Sequence, residues 1–314
     1  MDNFIFSLNA TFPIFLVILI GYFLKQIKML NEDFVAAANK FNFHVTLPAL
    51  VFKDLAAADI RQDFDMGYVL FCACVTSISF FAIWGLTRLL MKDRSMRGAF
   101  VQAAFRSSAA ILGFAFIQNI YGESRLASLM IIGTVPLFNI YSVIVLTFEG
   151  EGMQEGKGKI VQSIRNICKN PIILAILAGV AVSLLRIEFP VIVNKTIGYL
   201  ANMATPLALI ALGAGFRGRE AIAKLRPTIA ASVIKLVVLP MVFLPIAAYF
   251  GYTGEKMVAL IIMLGSPTTT SCYIMAKNMK NDGVLTSSIV VLTTLLASVT
   301  LTFWVYVLRS RGFI

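Results

Sequence analysis

The second half of this 314-residue chain repeats the first at an offset of 158 to 159 residues, within long apolar segments. Pro13 and Gly21 recur as Pro171 and Gly179. Leu47-Pro48-Ala49-Leu50 recurs as Thr205-Pro206-Leu207-Ala208. Ser107-Ser108, with Asn119 beyond it, recurs as Ser266-Pro267 with Asn278. Proline and glycine at matching places inside hydrophobic stretches restrict the chain to two copies of one unit, each with its backbone interrupted at corresponding depths.

The solvent of that unit is the bilayer. Hydrophobic residues make up 59% of the chain and charged residues 14%, which excludes an ordinary water-soluble domain. Ten segments are long enough to cross a hydrocarbon layer of about 30 Å. They lie near residues 9–26, 34–53, 65–91, 98–121, 125–148, 170–187, 191–215, 226–250, 255–277 and 284–308. The alternating pattern of a barrel strand is absent, so helices are left to satisfy the backbone in lipid. The predicted fold is an all-α integral membrane protein of ten transmembrane helices. Five segments per half is an odd number, so the two repeats are expected to have inverted topology. The boundaries are 1–148 for the first repeat, 149–169 for a polar, glycine-rich cytoplasmic linker, and 170–314 for the second repeat.

Lysine and arginine set the orientation. The connections after odd-numbered segments carry sixteen of them and the opposite side eight, which predicts both termini on the non-cytoplasmic face. The net charge of +11 has the same origin: basic loops facing anionic lipid, with no nucleic acid implied. Only Met1-Asp2-Asn3 precede the first apolar segment, whose basic residues Lys25 and Lys28 come after it, so a retained first helix is expected. Cys72, Cys74 and Cys272 fall inside segments and Cys168 in a loop; with one histidine in the chain, neither a disulfide framework nor a metal site is expected, and no cofactor.

The chemistry concentrates in segments four and nine, which are repeat mates. Segment nine carries Ser266-Pro267-Thr268-Thr269-Thr270-Ser271 about 12 residues from its start, close to mid-bilayer at 1.5 Å per residue. Pro267 removes a donor and frees carbonyls around residues 263 and 264. Segment four answers with Arg106-Ser107-Ser108-Ala109-Ala110 and Gly113. Where two broken helices cross, the half-helix N-termini turn positive ends to one point, and an anion is the natural occupant. The competing reading of these hydroxyls is ordinary back-bonding to the preceding turn. Arg106 lies too deep to reach the headgroups easily, and two compatible roles are open to it: pairing with a substrate carboxylate, or holding the freed carbonyls.

Lys235 is similarly deep. It is read first as a snorkelling lysine, and alternatively as an ammonium standing where a related carrier binds a cation. His44, one turn before Pro48, is read as a hydrogen-bonded interior histidine before a proton relay. Asn42 and Asn202 flank the Pro48 and Pro206 regions, where they line the cavity or cap kinks; His44, Pro48, Asn202, Pro206 and Lys235 form the gating or ion-site set. No acidic residue falls at the centre of a segment, which disfavours an antiporter built on buried carboxylates. Asp54, Asp59, Asp63 and Asp65 are assigned to one solvated external loop.

Taken in order, Asn39-Lys40-Phe41, Leu47-Pro48-Ala49-Leu50-Val51-Phe52, Phe105-Arg106-Ser107, Tyr121-Gly122, Ser266-Pro267-Thr268 and Ala276-Lys277 with Asp282 resemble the bacterial auxin efflux carrier family, with its malate and malonate permease-like members. The resemblance spans essentially the whole chain. It implies inverted five-helix repeats, a scaffold of helices one, two, six and seven, and helices four and nine crossing at the substrate site. It further implies elevator-like organic anion transport, often as a dimer through the scaffold. Many members have Asn where Ser108 stands and Gly-hydrophobic-Pro where Gly113-Phe114-Ala115 stands, so an aromatic carboxylate pocket does not carry over.

The sequence is therefore read as a plasma membrane carrier of a small mono- or dicarboxylate, with Arg106, Ser107, Ser108, Ser266, Pro267, Thr268, Thr269 and Thr270 as binding residues. Its coupling is left between a proton carried on the substrate and uniport. Two alternatives stand beside it: a sodium-coupled symporter of the bile-acid type, and a membrane receptor that binds without translocating. An enzyme is not expected, since no carboxylate pair, metal set or nucleophile and base is visible.

Overall fold

The computed structural model describes residues 2–56, 65–109, 125–150 and 164–314, with side chains described from residue 12 onward and, after the second gap, from residue 129. Every regular element among them is helical. In chain order they are α1 (Asp2–Gln26), α2 (Glu32–Phe41), a π-turn (Asn42–Thr46) leading into α3 (Leu47–Ala56), α4 (Met66–Leu90), α5 (Arg94–Phe105), α6 (Arg125–Glu149), α7 (Pro171–Leu185), α8 (Val191–Ala214) and α9 (Gly218–Ala223). Then follow α10 (Leu225–Val233), a second π-turn (Ile234–Val238) into α11 (Leu239–Tyr249), α12 (Gly254–Gly265), α13 (Ser271–Asn278) and α14 (Gly283–Ser310).

Polar side chains start several of these helices. Asn31, Asp65, Asp93, Asn170 and Asp282 each accept a hydrogen bond from a first-turn N–H, and Pro171 follows Asn170 where its missing N–H costs nothing. Five stretches are long and apolar enough to cross a membrane: Met66–Leu90, Leu129–Glu149, Val191–Ala214, Leu225–Tyr249 and Gly283–Ser310. They correspond to predicted segments three, five, seven, eight and ten. Segments one and six are shorter apolar helices at Phe12–Gln26 and Pro171–Leu185. Segment two runs continuously from α2 through the π-turn into α3, segment nine is broken between α12 and α13, and segment four beyond Ala109, with Gly113 and Asn119, lies outside the described residues, as does 151–163 of the expected linker.

On α4, Leu70, Ile78, Phe81, Leu86 and Leu89 are exposed while Tyr68, Cys72, Val75, Phe80 and Ile83 are buried. Both faces are apolar. A helix hydrophobic all round whose outer face meets no protein is suited to lipid.

The repeat has a counterpart in the packing. Gly21 of α1 meets α8 so closely that a methyl group on it would fall 2.5 Å from the Ile210 carbonyl oxygen. Gly179 of α7, its repeat mate, meets α3 at Phe52, whose carbonyl oxygen would lie 3.0 Å from such a methyl. Phe52 and Ile210 are themselves 158 residues apart, so repeat-related glycines approach repeat-related backbones. Gly213 makes the α1–α8 approach closer still, 2.0 Å from its virtual Cβ to the Ile18 oxygen.

Both π-turns run into a Leu-Pro pair, Leu47-Pro48 and Leu239-Pro240. Proline cannot donate to the carbonyl four residues back, and a widened turn accommodates the loss. For Pro240 that carbonyl belongs to Leu236, and the Trp304 indole N–H fills the vacancy at 2.9 Å.

Candidate functional site

Two helices stop short where their sequences break. α5 ends at Phe105, and Arg106 continues in extended backbone with φ −80° and ψ 138°. α12 ends at Gly265, and Ser266 is extended likewise at φ −73° and ψ 159°. The two extended strands of chain touch: the Ser108 N–H donates to the Pro267 carbonyl at 3.0 Å, and the Ser107 and Ser266 hydroxyls lie 2.9 Å apart. A helix that ends inside a membrane leaves carbonyls without intrahelical donors. Here each break serves the other, since Ser107 donates to Ile262 O at 3.3 Å and Thr268 donates to Ala103 O at 2.7 Å. The Thr268 N–H goes to Thr293 Oγ1 of α14 at 3.1 Å.

The carbonyls of Met263 and Leu264 are taken by Lys235. Its Nζ lies 2.8 Å from Leu264 O and 3.3 Å from Met263 O, and the residue is fully buried. The snorkelling reading of Lys235 is therefore wrong. The π-turn at 234–238 faces the side chain towards α12, and two carbonyl dipoles replace the water that a snorkelling ammonium would seek. The carbonyl-holding role weighed for Arg106 belongs to Lys235 instead.

Arg106 turns the other way. Its Nη2 donates to Asn139 Oδ1 at 2.8 Å, and its Nη1 reaches Met275 Sδ at 2.8 Å and Ser142 Oγ at 3.4 Å. Asn139 is held for this task, since its own amide donates to Val135 O at 2.9 Å. All of these acceptors are neutral, and Arg106 is buried, 5% exposed. The sequence reading missed Asn139, Ser142 and Met275. The available signal was a lone asparagine three residues past Pro136 inside an apolar helix.

Arg106, Ser107 and Ser108 line a cavity of about 60 Å³ with Asn139, Thr269 and Ser271. A second cavity of about 30 Å³ shares Thr269 and Ser271 and adds Asn42 and Thr270. Both lie at the start of α13, whose first turn is closed by Cys272 N–H to Thr269 O at 3.0 Å. Ser266, Pro267 and Thr268 line neither cavity, because their polar groups are committed to the crossing. They position the site from behind it.

The remaining predicted residues divide. Asn42 reaches across to Ala204 O at 2.8 Å and belongs to the smaller cavity. Asn202 is exposed and accepts from Lys53 Nζ at 3.2 Å. Pro48 is the second residue of α3 and Pro206 lies within α8, and neither lines either cavity. His44 is exposed, not interior, and its Nδ1 lies 2.9 Å from Lys40 O, one turn back. Asp54, assigned to a solvated loop, instead lies in α3 and lines the larger cavity with Arg106. The helix continues through Asp54 because the buried Leu55 beyond it packs against Gly179 of α7, and α3 is packed on α7 and α8.

A protein-family model described as "Membrane transport protein" matches residues 6–305. The chain belongs to this family. The auxin efflux carrier resemblance and the full-length match agree, and the protein is a membrane transporter, not an enzyme. Among its relatives, an uncharacterized transporter of Methanothermobacter thermautotrophicus is 24% identical over 307 residues, covering 96% of this chain and 98% of the relative. A Rhizobium meliloti protein provisionally named a malonate transporter is 24% identical over 312 residues, covering 95% and 94%. The uncharacterized transporter YfdV of Escherichia coli K12 is 22% identical over 310 residues, covering 97% and 98%. With its apolar, outward-facing helices, this transporter is a multi-pass membrane protein.

Proposed function

We propose that this transporter carries a small organic anion, a mono- or dicarboxylate, across the plasma membrane, binding it where the chain breaks after α5 and α12 cross. The observation that carries the reading is Arg106. A buried guanidinium lines the cavity with hydroxyls around it, and none of its hydrogen-bond acceptors among the described residues is charged. A carboxylate would supply the missing charge, and the start of α13 adds a positive helix end on the same side. The relative named for malonate transport supports a dicarboxylate.

The proposed architecture is ten membrane helices in two inverted five-helix repeats, with the termini on the non-cytoplasmic side. Reciprocal packing of Gly21 on Ile210 and Gly179 on Phe52 supports it, as does the Ser107–Ser266 pair. In the proposed elevator motion, α1, α2–α3, α7 and α8 form the scaffold, joined in a dimer, while the crossed breaks move with their cavity. Lys235 supports independence from sodium, because its ammonium already occupies the carbonyls that a bound cation would need.

The test is counterflow of labelled malonate and related acids in proteoliposomes, with solid-supported membrane currents alongside. Saturable transport that is lost in a folded Arg106→Gln variant is the expected result. Undiminished affinity in that variant removes Arg106 from the site, and binding without translocation favours the receptor reading.

A further inference from the structure

We propose that the cleft between α4 and α10–α11 binds an anionic phospholipid, one acyl chain lying along its apolar length and the phosphate resting between Lys92 and Arg226 at its end.

α4 and α10 both pack on α5 and leave an open cleft of about 760 Å³ over it. That volume falls within the roughly 300–1,000 Å³ of sites that bury a small ligand. One wall is a single stripe of α4, formed by Ile78, Ala82, Leu86 and Leu90, each four residues from the last. The other is Ala230, Ile234, Val238 and Val242, at the same spacing through α10, the second π-turn and α11. Ile83, Phe100, Leu239 and Phe243 are buried at the bottom, whereas Ile78, Leu86, Leu90, Val238 and Val242 stay exposed along the sides. From Ile78 to Leu90 the cleft runs about 18 Å at 1.5 Å per residue. One leaflet's share of a hydrocarbon layer of about 30 Å is slightly less than that.

The two walls are antiparallel. Near the start of α4, Phe71 meets Phe250, just past the end of α11, with ring centroids 5.6 Å apart. The end of α4 and the start of α10 therefore lie together at the opposite end of the cleft, where Lys92, Asp93 and Arg226 line it.

Along the walls, Ser79 and Thr87 turn their hydroxyls back to Val75 O at 2.7 Å and Ile83 O at 2.6 Å, so neither donates into the cleft. Asp93 is committed to α5, accepting from the Ser95 N–H at 2.9 Å and the Ser95 hydroxyl at 2.7 Å. Lys92 and Arg226 are exposed, and neither has a hydrogen-bond or ion-pair partner among the described residues. Arg97 adds a further positive charge beside them, donating to the carbonyl of Met91, which also lines the cleft.

An apolar trough one leaflet long that ends in uncompensated positive charge matches an amphiphile with an acyl chain and a phosphodiester anion. A dissolved carboxylate would find no partners along the walls, and a neutral sterol would leave both cations without a counter-charge. On the proposed orientation this end faces the cytoplasm, where each lysine or arginine near anionic lipid contributes about fivefold in affinity. The bound chain lies against Met96 and Phe100 of α5, the half-helix that ends just before Arg106.

The experiment titrates the full-length protein in detergent with dioleoyl phosphatidylglycerol or dioleoyl phosphatidylcholine and counts bound lipids by native mass spectrometry. Identical acyl chains leave the headgroup as the difference. The wild type is expected to bind one phosphatidylglycerol about 25-fold more tightly than phosphatidylcholine, fivefold for each of two basic residues. Lys92→Gln combined with Arg226→Gln is expected to remove that preference and leave phosphatidylcholine binding unchanged. Ala82→Trp, which fills the cleft with both cations kept, is expected to abolish the tight site. The proposal is overturned if the wild type binds the two lipids alike, if the double variant keeps the preference, if Ala82→Trp leaves it intact, or if cholesterol displaces phosphatidylglycerol. Where the larger changes are not monodisperse, the single variants and Ala82→Leu decide: a loss of about fivefold in each single variant and weaker binding in Ala82→Leu support the proposal, and unchanged affinity in any of them overturns it.

Discussion

The Ser107 hydroxyl lies 2.9 Å from the Ser266 hydroxyl, its counterpart 159 residues later, and both are buried. Residues separated by the offset read in the sequence thus meet at one point. Each also helps a chain break survive in an apolar environment, because Ser107 reaches Ile262 O and Ser266 reaches Ser107.

The first prediction concerns that pair. Ser107→Ala and Ser266→Ala should each destabilise by about 1 kcal/mol, the usual net worth of a buried hydrogen bond. The double variant should cost less than the sum, since the two share one interaction. Thermal unfolding in detergent measures the cycle, and strict additivity would show that the hydroxyls do not interact.

Lys235 should be intolerant of an apolar replacement. Lys235→Met leaves Met263 O and Leu264 O without their donor, and a buried unsatisfied group costs about 1–3 kcal/mol. Lower melting temperature with impaired transport is expected. For the wild type, replacing external sodium with potassium should leave transport unchanged; a sodium requirement would rule out the assignment of Lys235 as a built-in cation.

Glycine positions in α8 should respond in opposite ways. Gly213→Ala places a methyl against the Ile18 backbone, where nothing flexible can move aside, and should lose stability and expression. Gly198→Ala meets nothing within 4 Å and should be neutral or stabilising by up to about 1 kcal/mol, from helix propensity alone. Melting temperatures of the two variants in one detergent are the check.

Acid should weaken the junction before α4. The Lys256 ammonium, 2.5 Å from Asp65 Oδ2, holds the Asp65 carboxyl below the usual aspartate range, helped by the Tyr68 N–H it caps. A depressed carboxylate adds stability above its unfolded value, near pH 4, and loses it as the pH falls through the lower folded value. Asp65→Asn keeps the cap and removes the charge. Because the pair is partly solvated, its effect at pH 7 should stay within about 1 kcal/mol and vanish in acid. An equal effect at both pH values would assign the contribution to the cap.

Several features were legible in the sequence because their causes are local. Pro267 and the hydroxyls around it marked a break, and the carbonyls it frees are those at 263 and 264 that need an outside donor. Arg106 and Ser107 marked the matching break in segment four. Asp54 was misplaced because hydropathy reports where apolar residues thin out, whereas a helix continues as long as neighbours cover its face. Asn139 and Ser142 were passed over because a single polar residue in an apolar helix does not reveal which neighbour its side chain faces.

What the sequence by itself determined is the solvent, the helical class and where along segment nine the helix breaks, because hydrophobicity and proline act through each segment's own backbone. Only the tertiary structure decided which cation meets which partner. Arg106 and Lys235 are both single positive charges deep in apolar segments, and composition cannot separate them. Helix rotation at the second π-turn and the crossing after α5 direct Lys235 to the carbonyls of α12 and Arg106 to Asn139 and the cavity. That choice depends on distances between segments far apart in the chain, set by how the helices pack.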